Sequence, residues 1–318
     1  MNRNLRMFMK NYHDLLKQYY KKYLHREPDD MGFKYYLTLL ENGSLDENAL
    51  RNKFLNSDEY KIKELELQYE KESKIKIQKN DKVFFVNSNN TNFWAQVQTG
   101  VWEPNTFKIF DEFLDSQHSY IDIGSWIGST ILYGCQKAKF SYGIEPDPVS
   151  FKNLKNNIEL NSNLYSKIDV SNNCISNKNA TICLTPKNDE GGDSMSSTVF
   201  KKSSKSWEIP SITLEQFILD NSITDCNFIK IDIEGSEFNV LPSASKFLYD
   251  KLPTLHLSLH SPLMENPKKE MEKILQVINE YDYVYDDQLN YIEKESILNE
   301  NNLKTFFDIV VSQKKIKK

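Results

Sequence analysis

The sequence predicts an open α/β sheet preceded by a small all-α region. Three observations carry this. Residues 119–148, SYIDIGSWIGSTILYGCQKAKFSYGIEPDP, read as strand, glycine turn, helix and second strand, which is a βαβ unit. CNFIKIDIE (226–234) and TLHLSLH (254–260) are two more apolar runs of strand length. Before all of these, apolar residues recur at helical rather than strand spacing.

Leu5, Phe8, Tyr12, Leu15, Leu16, Tyr19 and Tyr23 recur at steps of three and four and predict an amphipathic helix. The run His25-Arg26-Glu27-Pro28-Asp29-Asp30 breaks it. Asp29 or Asp30 then suits the N-cap of a second helix through Phe33, Tyr36, Leu37 and Leu40, which Gly43 ends. A third helix runs from about Asp46 to Phe54, and the charged segment KIKELELQYEKESKIKIQKN (61–80) reads as a link.

Residues 83–86 and 94–97 read as short strands or strand–turn segments, and 106–114 as a helix. Asp122 closes the first strand of the βαβ unit and Glu145 the second. In open α/β sheets the ligand sits outside such carboxyl ends. Gly124 and Gly128, with Ser125 between them, allow a sharp turn and a close approach to a ligand. An acid ending the second strand can accept hydrogen bonds from ribose hydroxyls. The G-x-G-x-x-G pattern and a P-loop lysine are both absent. A carboxylate beside the turn suits a cationic or amino-acid ligand end, which points to S-adenosylmethionine.

A helix over 150–160 follows, then a third strand over 166–170 that ends at Asn172, Asn173 and Cys174. An added strand is expected at 180–184, and the polar double-glycine stretch 189–197 is either a lid or a disordered loop. In the fourth strand, 226–234, Lys230 and Asp232 are isolated charges that must pair or face the cleft. Asp232 and Glu234 share a face by strand period, toward the mouth of the site. Of His256, Ser258 and His260 on the fifth strand, His260 alone reaches the carboxyl end. Asp232, Glu234 and His260 are of types that bind divalent metals, but no spacing fixes a site and no metal is assigned. A helix over 267–279, strands over 281–285 and 306–312 and a solvated KKIKK tail complete the chain.

IDIGSWIGST (121–130), YGIEPDPVSFKNLKNNIELN (142–161) and CNFIKIDIEGSEFNVL (226–241) together resemble the FkbM family of S-adenosylmethionine-dependent methyltransferases, from about residue 84 onward. The resemblance implies a class I, Rossmann-like seven-stranded sheet with helices on both faces, and S-adenosylmethionine as cofactor. It places Asp122, Gly124, Ser125, Gly128, Glu145 and Asp232 at the cofactor. Glu103, in the Trp-Glu-Pro segment 102–104, becomes a candidate contact to cofactor or acceptor, against a plain surface role. Asn173 is placed against the adenine, with turn capping as the competing reading. Ser125-Trp126 stands where the family usually has alanine-asparagine or alanine-tryptophan. Stretch 189–197 becomes a lid or wall of the site.

The first region resembles a small helical domain of unknown function. Such domains occur beside enzymes of surface-glycan assembly and in some secreted proteins. Its usual leucine-glycine-arginine triplet appears as Leu24-His25-Arg26, and its usual tryptophan as Tyr36. Nothing in it is catalytic, so it reads as a bundle that packs on the enzyme or on a protein partner. The expected division is residues 1–78, helical domain and link, and 79–318, methyltransferase.

Charge and cysteine usage bound the rest. Residues 1–80 carry +3 and the remainder −8, for a net −5, against the basic face of a nucleic-acid binder. Four cysteines without C-x-x-C spacing read as core residues of a reducing compartment. No apolar run reaches a membrane span and the N-terminus lacks a signal-peptide core, so a cytoplasmic location is expected. The expected reaction is methyl transfer to a hydroxyl, of a sugar in a surface glycan or related glycoconjugate. His260 is the expected general base, oriented by Glu234 or Asp232, and Glu234 is the rival base. A catalytically idle scaffold that recruits glycan enzymes and an NAD-dependent oxidoreductase are the alternatives.

Overall fold

The computed structural model describes residues 11–188 and 191–316. Leu5 and Phe8, expected in the first helix, lie outside the described residues, as do Asp189 and Glu190 of the predicted lid. Contacts divide the chain into two units, 1–77 with 88–102, and 78–87 with 103–318.

The first unit is helical. α1 (Tyr12–Tyr19) runs into one wide π turn, Tyr20–Leu24, which His25 ends in the left-handed region at φ 54°. That conformation explains the glycine usual at this position. α2 (Asp30–Glu41), α3 (Glu47–Asn56) and α4 (Asp58–Tyr69) start on the side-chain caps Asp29, Asp46 and Ser57. Their core gathers on Phe54, against which the rings of Tyr19, Tyr20, Tyr23 and Tyr36 pack. Arg26 pairs with Asp29 and Glu59 and lies over the Tyr20 ring.

Two expectations are corrected in this unit. Much of the charged link is helix α4, because its Ile62, Leu65 and Tyr69 fall on helical spacing behind the Ser57 cap. After β1 (Ile75–Lys79) and β2 (Lys82–Val86), the segment expected as a strand at 94–97 is α5 (Thr91–Thr99), closed by Gly100 at φ 80°. Trp94, Ala95 and Val97 form its buried side, and α5 packs on α4.

The second unit is the α/β part. After α6 (Pro104–Phe113) come β3 (Ser119–Ile123), α7 (Ser129–Gly134), β4 (Ser141–Ile144), α8 (Pro148–Glu159) and β5 (Ile168–Ser171). Next are β6 (Cys174–Ile175), β7 (Ala180–Leu184), β8 (Trp207–Ile212), α9 (Leu214–Asp220) and β9 (Cys226–Ile231). The chain continues through α10 (Glu237–Ser243), α11 (Ser245–Lys251), β10 (Thr254–Leu259), α12 (Pro267–Ile278), β11 (Tyr283–Asp286) and β12 (Phe307–Ser312).

Seven strands form one sheet in the order β11-β12-β10-β9-β3-β4-β5. Neighbours from β10 to β5 are parallel, while β12 runs antiparallel to both β10 and β11. This is the class I methyltransferase sheet that the sequence resemblance implied. β6, β8 and β7 form a separate three-stranded sheet, of which only β7 was expected. The strand order reverses between β3 and β9, so a crevice opens at their carboxyl ends. β3 is buried along its whole length, and Ile121, Ile123, Ile229, Ile231, Leu255 and Leu257 anchor the core beneath that crevice. Among the described residues, no helix is long and apolar enough to cross a membrane.

Candidate active site

The turn after β3 is built from left-handed residues: Gly124 at φ 88°, Trp126 at 43° and Gly128 at 102°. Glycine at 124 is required by the protein's own packing. A Cβ there would stand 1.9 Å from the backbone oxygen of Asp232, so the ends of β3 and β9 meet where a side chain would be. At Gly128 a Cβ would press on Leu154 at 3.0 Å. The two glycines thus also let the ends of β3 and β9 meet and leave room for the Leu154 side chain. Ser125 is buried and donates to the backbone oxygen of Asp122 at 2.9 Å.

Glu145 braces this turn. One carboxylate oxygen accepts from the backbone N–H of Trp126 at 2.9 Å, the other from that of Asp147 at 2.8 Å. Burial pushes its carboxyl up to about 8, against the pull of those two donors. Asp147 caps α8 with one oxygen. With the other it receives Gly192 N–H and the Ser196 hydroxyl. Trp126 Nε1 donates to the Gly192 carbonyl at 3.1 Å, and the Ser197 hydroxyl donates to the backbone oxygen of Glu234. The described part of the predicted lid is thus tied down at the ends of both β4 and β9. Asn173 turns its amide to the Ser171 hydroxyl at 2.7 Å, as a turn residue does, while Asn172 bonds the Glu145 and Pro146 carbonyls.

A second group of charges lies under the crevice. Lys230 is buried, 3.2 Å from Asp232 and 3.9 Å from Asp122. Burial works to lower its pKa, but Asp232, Asp122 and Glu103 outweigh that and hold it charged. Asp122 is fully buried; one oxygen accepts from Thr130 at 2.6 Å and Tyr120 at 3.3 Å, and the other makes no hydrogen bond. Burial raises its pKa, with Lys230 opposing. Glu103, at φ 35°, accepts from the Thr106 hydroxyl at 3.0 Å. Burial and then Asp232 push it up to about 8, with Lys230 opposing. Three carboxyls thus share one lysine.

β9 ends at Ile231, three residues before the expected limit. Asp232 and Glu234 therefore sit in a turn, with Glu234 at φ 52°, and do not share a strand face. They converge nonetheless. His260 Nε2 lies 3.8 Å from Asp232 and 3.5 Å from Glu234. Its Nδ1 is taken by Glu237 at 3.0 Å, so the orienting carboxylate is Glu237 rather than Glu234 or Asp232. Glu237 is itself fixed by the backbone N–H groups of Ile233 at 2.8 Å and Gly235 at 2.9 Å. It belongs to the IEGSE run, but only the turn reveals that it folds back beneath the histidine.

Burial works to lower the His260 pKa, but the bond to Glu237 and the charges of Glu237, Asp232 and Glu234 outweigh it and raise it to about 9. Burial raises Glu234 to about 7, with His260 pulling the other way. One oxygen of Glu234 is buried and makes no hydrogen bond. Asp232, Glu237 and His260 also offer atoms within 4.8 Å of one another, close enough for a metal ion.

The methyltransferase FkbM domain matches residues 122–285, which includes both turns and His260. The chain belongs to the FkbM methyltransferase family. It is accordingly an S-adenosylmethionine-dependent methyltransferase. A domain of unknown function, DUF4214, matches residues 10–63. No curated protein matches this chain. Among solved structures it is similar to the methyltransferase FkbM of Methylobacillus flagellatus KT, at 13% identity and TM-score 0.43, covering 89% of this chain and 71% of that one. It is also similar to an O-methyltransferase of Bacillus cereus in complex with SAH, at 10% identity and TM-score 0.38, covering 66% and 78%. A third is the Pyrococcus abyssi tRNA (uracil-54, C5)-methyltransferase in complex with S-adenosyl-L-homocysteine, at 11% identity and TM-score 0.35, covering 76% and 44%.

The residues present fit that cofactor. A ligand carrying a sulfonium and an ammonium would favour the charged forms of Asp122 and Glu103, which burial disfavours while Lys230 opposes it. The unbonded Asp122 oxygen is a buried acceptor in want of a donor. Glu145 accepts one backbone N–H on each oxygen, and each oxygen keeps a lone pair for a ribose hydroxyl.

Proposed function

We propose that the chain is an O-methyltransferase whose acceptor is a hydroxyl, that of a sugar in a surface glycan or related glycoconjugate. The bound cofactor supplies an electrophilic methyl group; the protein's own residues hold it, orient the acceptor and take up the acceptor's proton. A hydroxyl is a poor nucleophile until that proton leaves, and a placed base contributes about 10²–10⁴-fold. The observation that carries the reading is the buried Glu234 oxygen without a hydrogen bond, 3.5 Å from His260 Nε2. A nitrogen or carboxylate acceptor would have less need of such a base.

The base in this reading is Glu234. Its carboxyl sits at about 7, near the working pH, whereas an imidazole raised to about 9 already carries its proton at neutrality. His260 then stands beside the base as an imidazolium, locked by Glu237. Asp122, Glu145, Asp232 and Glu103 serve the cofactor, with Gly124, Ser125 and Gly128 shaping the turn that carries them. Asn173 lines the adenine end with its backbone, its amide being committed to Ser171. The helical unit supports the glycan assignment by its resemblance to domains found beside glycan-assembly enzymes, and serves as a docking module for a protein partner. The four free cysteines support a cytoplasmic setting.

A pH profile of kcat/KM tests the assignment. Glu234 faces His260, Asp232, Glu237 and Lys187, and with it as base the rate falls as pH drops through about 7. It falls again as His260 loses its proton near 9. A rate that climbs up to pH 9 in the wild type, and is unchanged in Glu234→Gln, returns the role to His260.

A further inference from the structure

We infer that Phe306 is a stacking platform for the acceptor, taking the C–H face of a pyranose ring beside Glu234. This deepens the glycan reading above and rests on it. The position follows from the sheet. β10 pairs with β12 antiparallel and their register ends at Leu259 opposite Phe307, so His260 and Phe306 are the first residues beyond the ladder. The ring contact sets Phe306 beside His260 at the carboxyl edge of β10. The two rings meet edge to face, centroids 4.9 Å apart at 62°.

What sets Phe306 apart is its exposure. Its neighbour Phe307 packs against the main core, while Phe306 stays 49% exposed. Among the described residues it is the one large exposed hydrophobic whose ring touches the carboxylate–histidine group. An aromatic face in water beside hydrogen-bonding carboxylates suits a ligand that is apolar on one side and rich in hydroxyls around its rim. A pyranose has that chemistry: axial C–H groups for the ring and equatorial hydroxyls for Glu234. An acyclic alcohol has no flat face to use the platform.

The test is binding, so that it stands apart from turnover. The full chain loaded with S-adenosylhomocysteine is titrated with methyl β-D-galactopyranoside and methyl α-L-rhamnopyranoside, followed by saturation-transfer NMR, with glycerol as the acyclic control. Phe306→Ala should weaken pyranoside binding about tenfold, the effect of losing one ring's worth of buried apolar surface. Phe306→Trp should preserve it, and both variants should keep the S-adenosylhomocysteine affinity and the melting temperature of the wild type. Wild-type binding of pyranosides that Phe306→Ala leaves unchanged overturns the platform while the glycan reading stands. An equal loss of S-adenosylhomocysteine affinity reassigns Phe306 to the cofactor and overturns it as well. If the wild type binds neither pyranoside, the glycan reading falls and the platform with it, whereas the hydroxyl chemistry is still judged by the Glu234 pH profile.

Discussion

The two turns at the head of the sheet use buried glutamates in opposite ways. After β3, Glu145 spends both oxygens on backbone N–H groups, and the turn it braces is held to α8 through Asp147. After β9, Glu237 does the same bracing, but three residues earlier Glu234 is left with a buried oxygen that bonds nothing. Identical side chains thus act as scaffold where the backbone supplies donors and are left with an unbonded oxygen where it does not, the oxygen on which the proposed base rests. The difference lies in the backbone. Glu234 takes a left-handed backbone at φ 52°, and the two amide groups beside it, those of Ile233 and Gly235, both bond Glu237 instead.

The comparison can be broken most severely at Gly124. Gly124→Ala drives a methyl group into the Asp232 carbonyl at 1.9 Å, from a backbone already at φ 88°. A loss of roughly 3–5 kcal/mol of stability is expected from overpacking plus backbone strain. Denaturant unfolding measures it, and a loss under 1 kcal/mol would mean the two turns are not locked together.

Next in size is Glu237→Gln, which weakens bonds to two backbone donors and to His260. About 2–3 kcal/mol of stability is expected to go, since charge-assisted buried bonds are the strong ones. The variant also has a pH signature. His260 is raised in the folded state, so its contribution is complete below the unfolded value near 6.5 and is lost as pH rises through about 9. Stability of the wild type should therefore decline across that window more than that of Glu237→Gln. An NMR titration placing His260 near 9 in the variant as well would remove Glu237 as the cause.

Smallest is Glu145→Ala, expected to weaken S-adenosylmethionine binding by about 1–3 kcal/mol through lost ribose bonds and a loosened turn. Calorimetry gives the affinity directly. Unchanged binding would leave Glu145 as a brace alone and make the contrast between the turns complete.

Much of this was legible before any coordinates, for reasons of periodicity. The βαβ unit, β7, a cap at Asp29 or Asp30, a helix starting near Asp46 and the nearness of Asp232, Glu234 and His260 all follow from spacing and strand ends. What was hidden lies where backbone conformation overrides pattern. Ile231 and Ile233 alternate as in a strand, yet the strand stops at Ile231. Glu237 looked like one more acid in IEGSE because its role depends on a turn that reverses direction. Trp94 to Val97 is rich in strand-favouring side chains, and only Gly100 signals a helix end. The charge of 61–80 masked the apolar stripe of α4. By contacts, 88–102 joins the helical unit, a grouping that no linear boundary at residue 78 can express.

The place of β12 has a consequence for how the molecule is made. β11 is synthesised after β10, yet the two never pair, because β12 enters between them. From Leu259 until Phe307 emerges, the apolar edge of β10 has no neighbour on that side. At about 5–20 residues per second, that interval lasts seconds on the ribosome. An unpaired apolar edge is the template on which chains aggregate. Expression yield should therefore respond more to slow translation between residues 260 and 306 than to the same delay before β10.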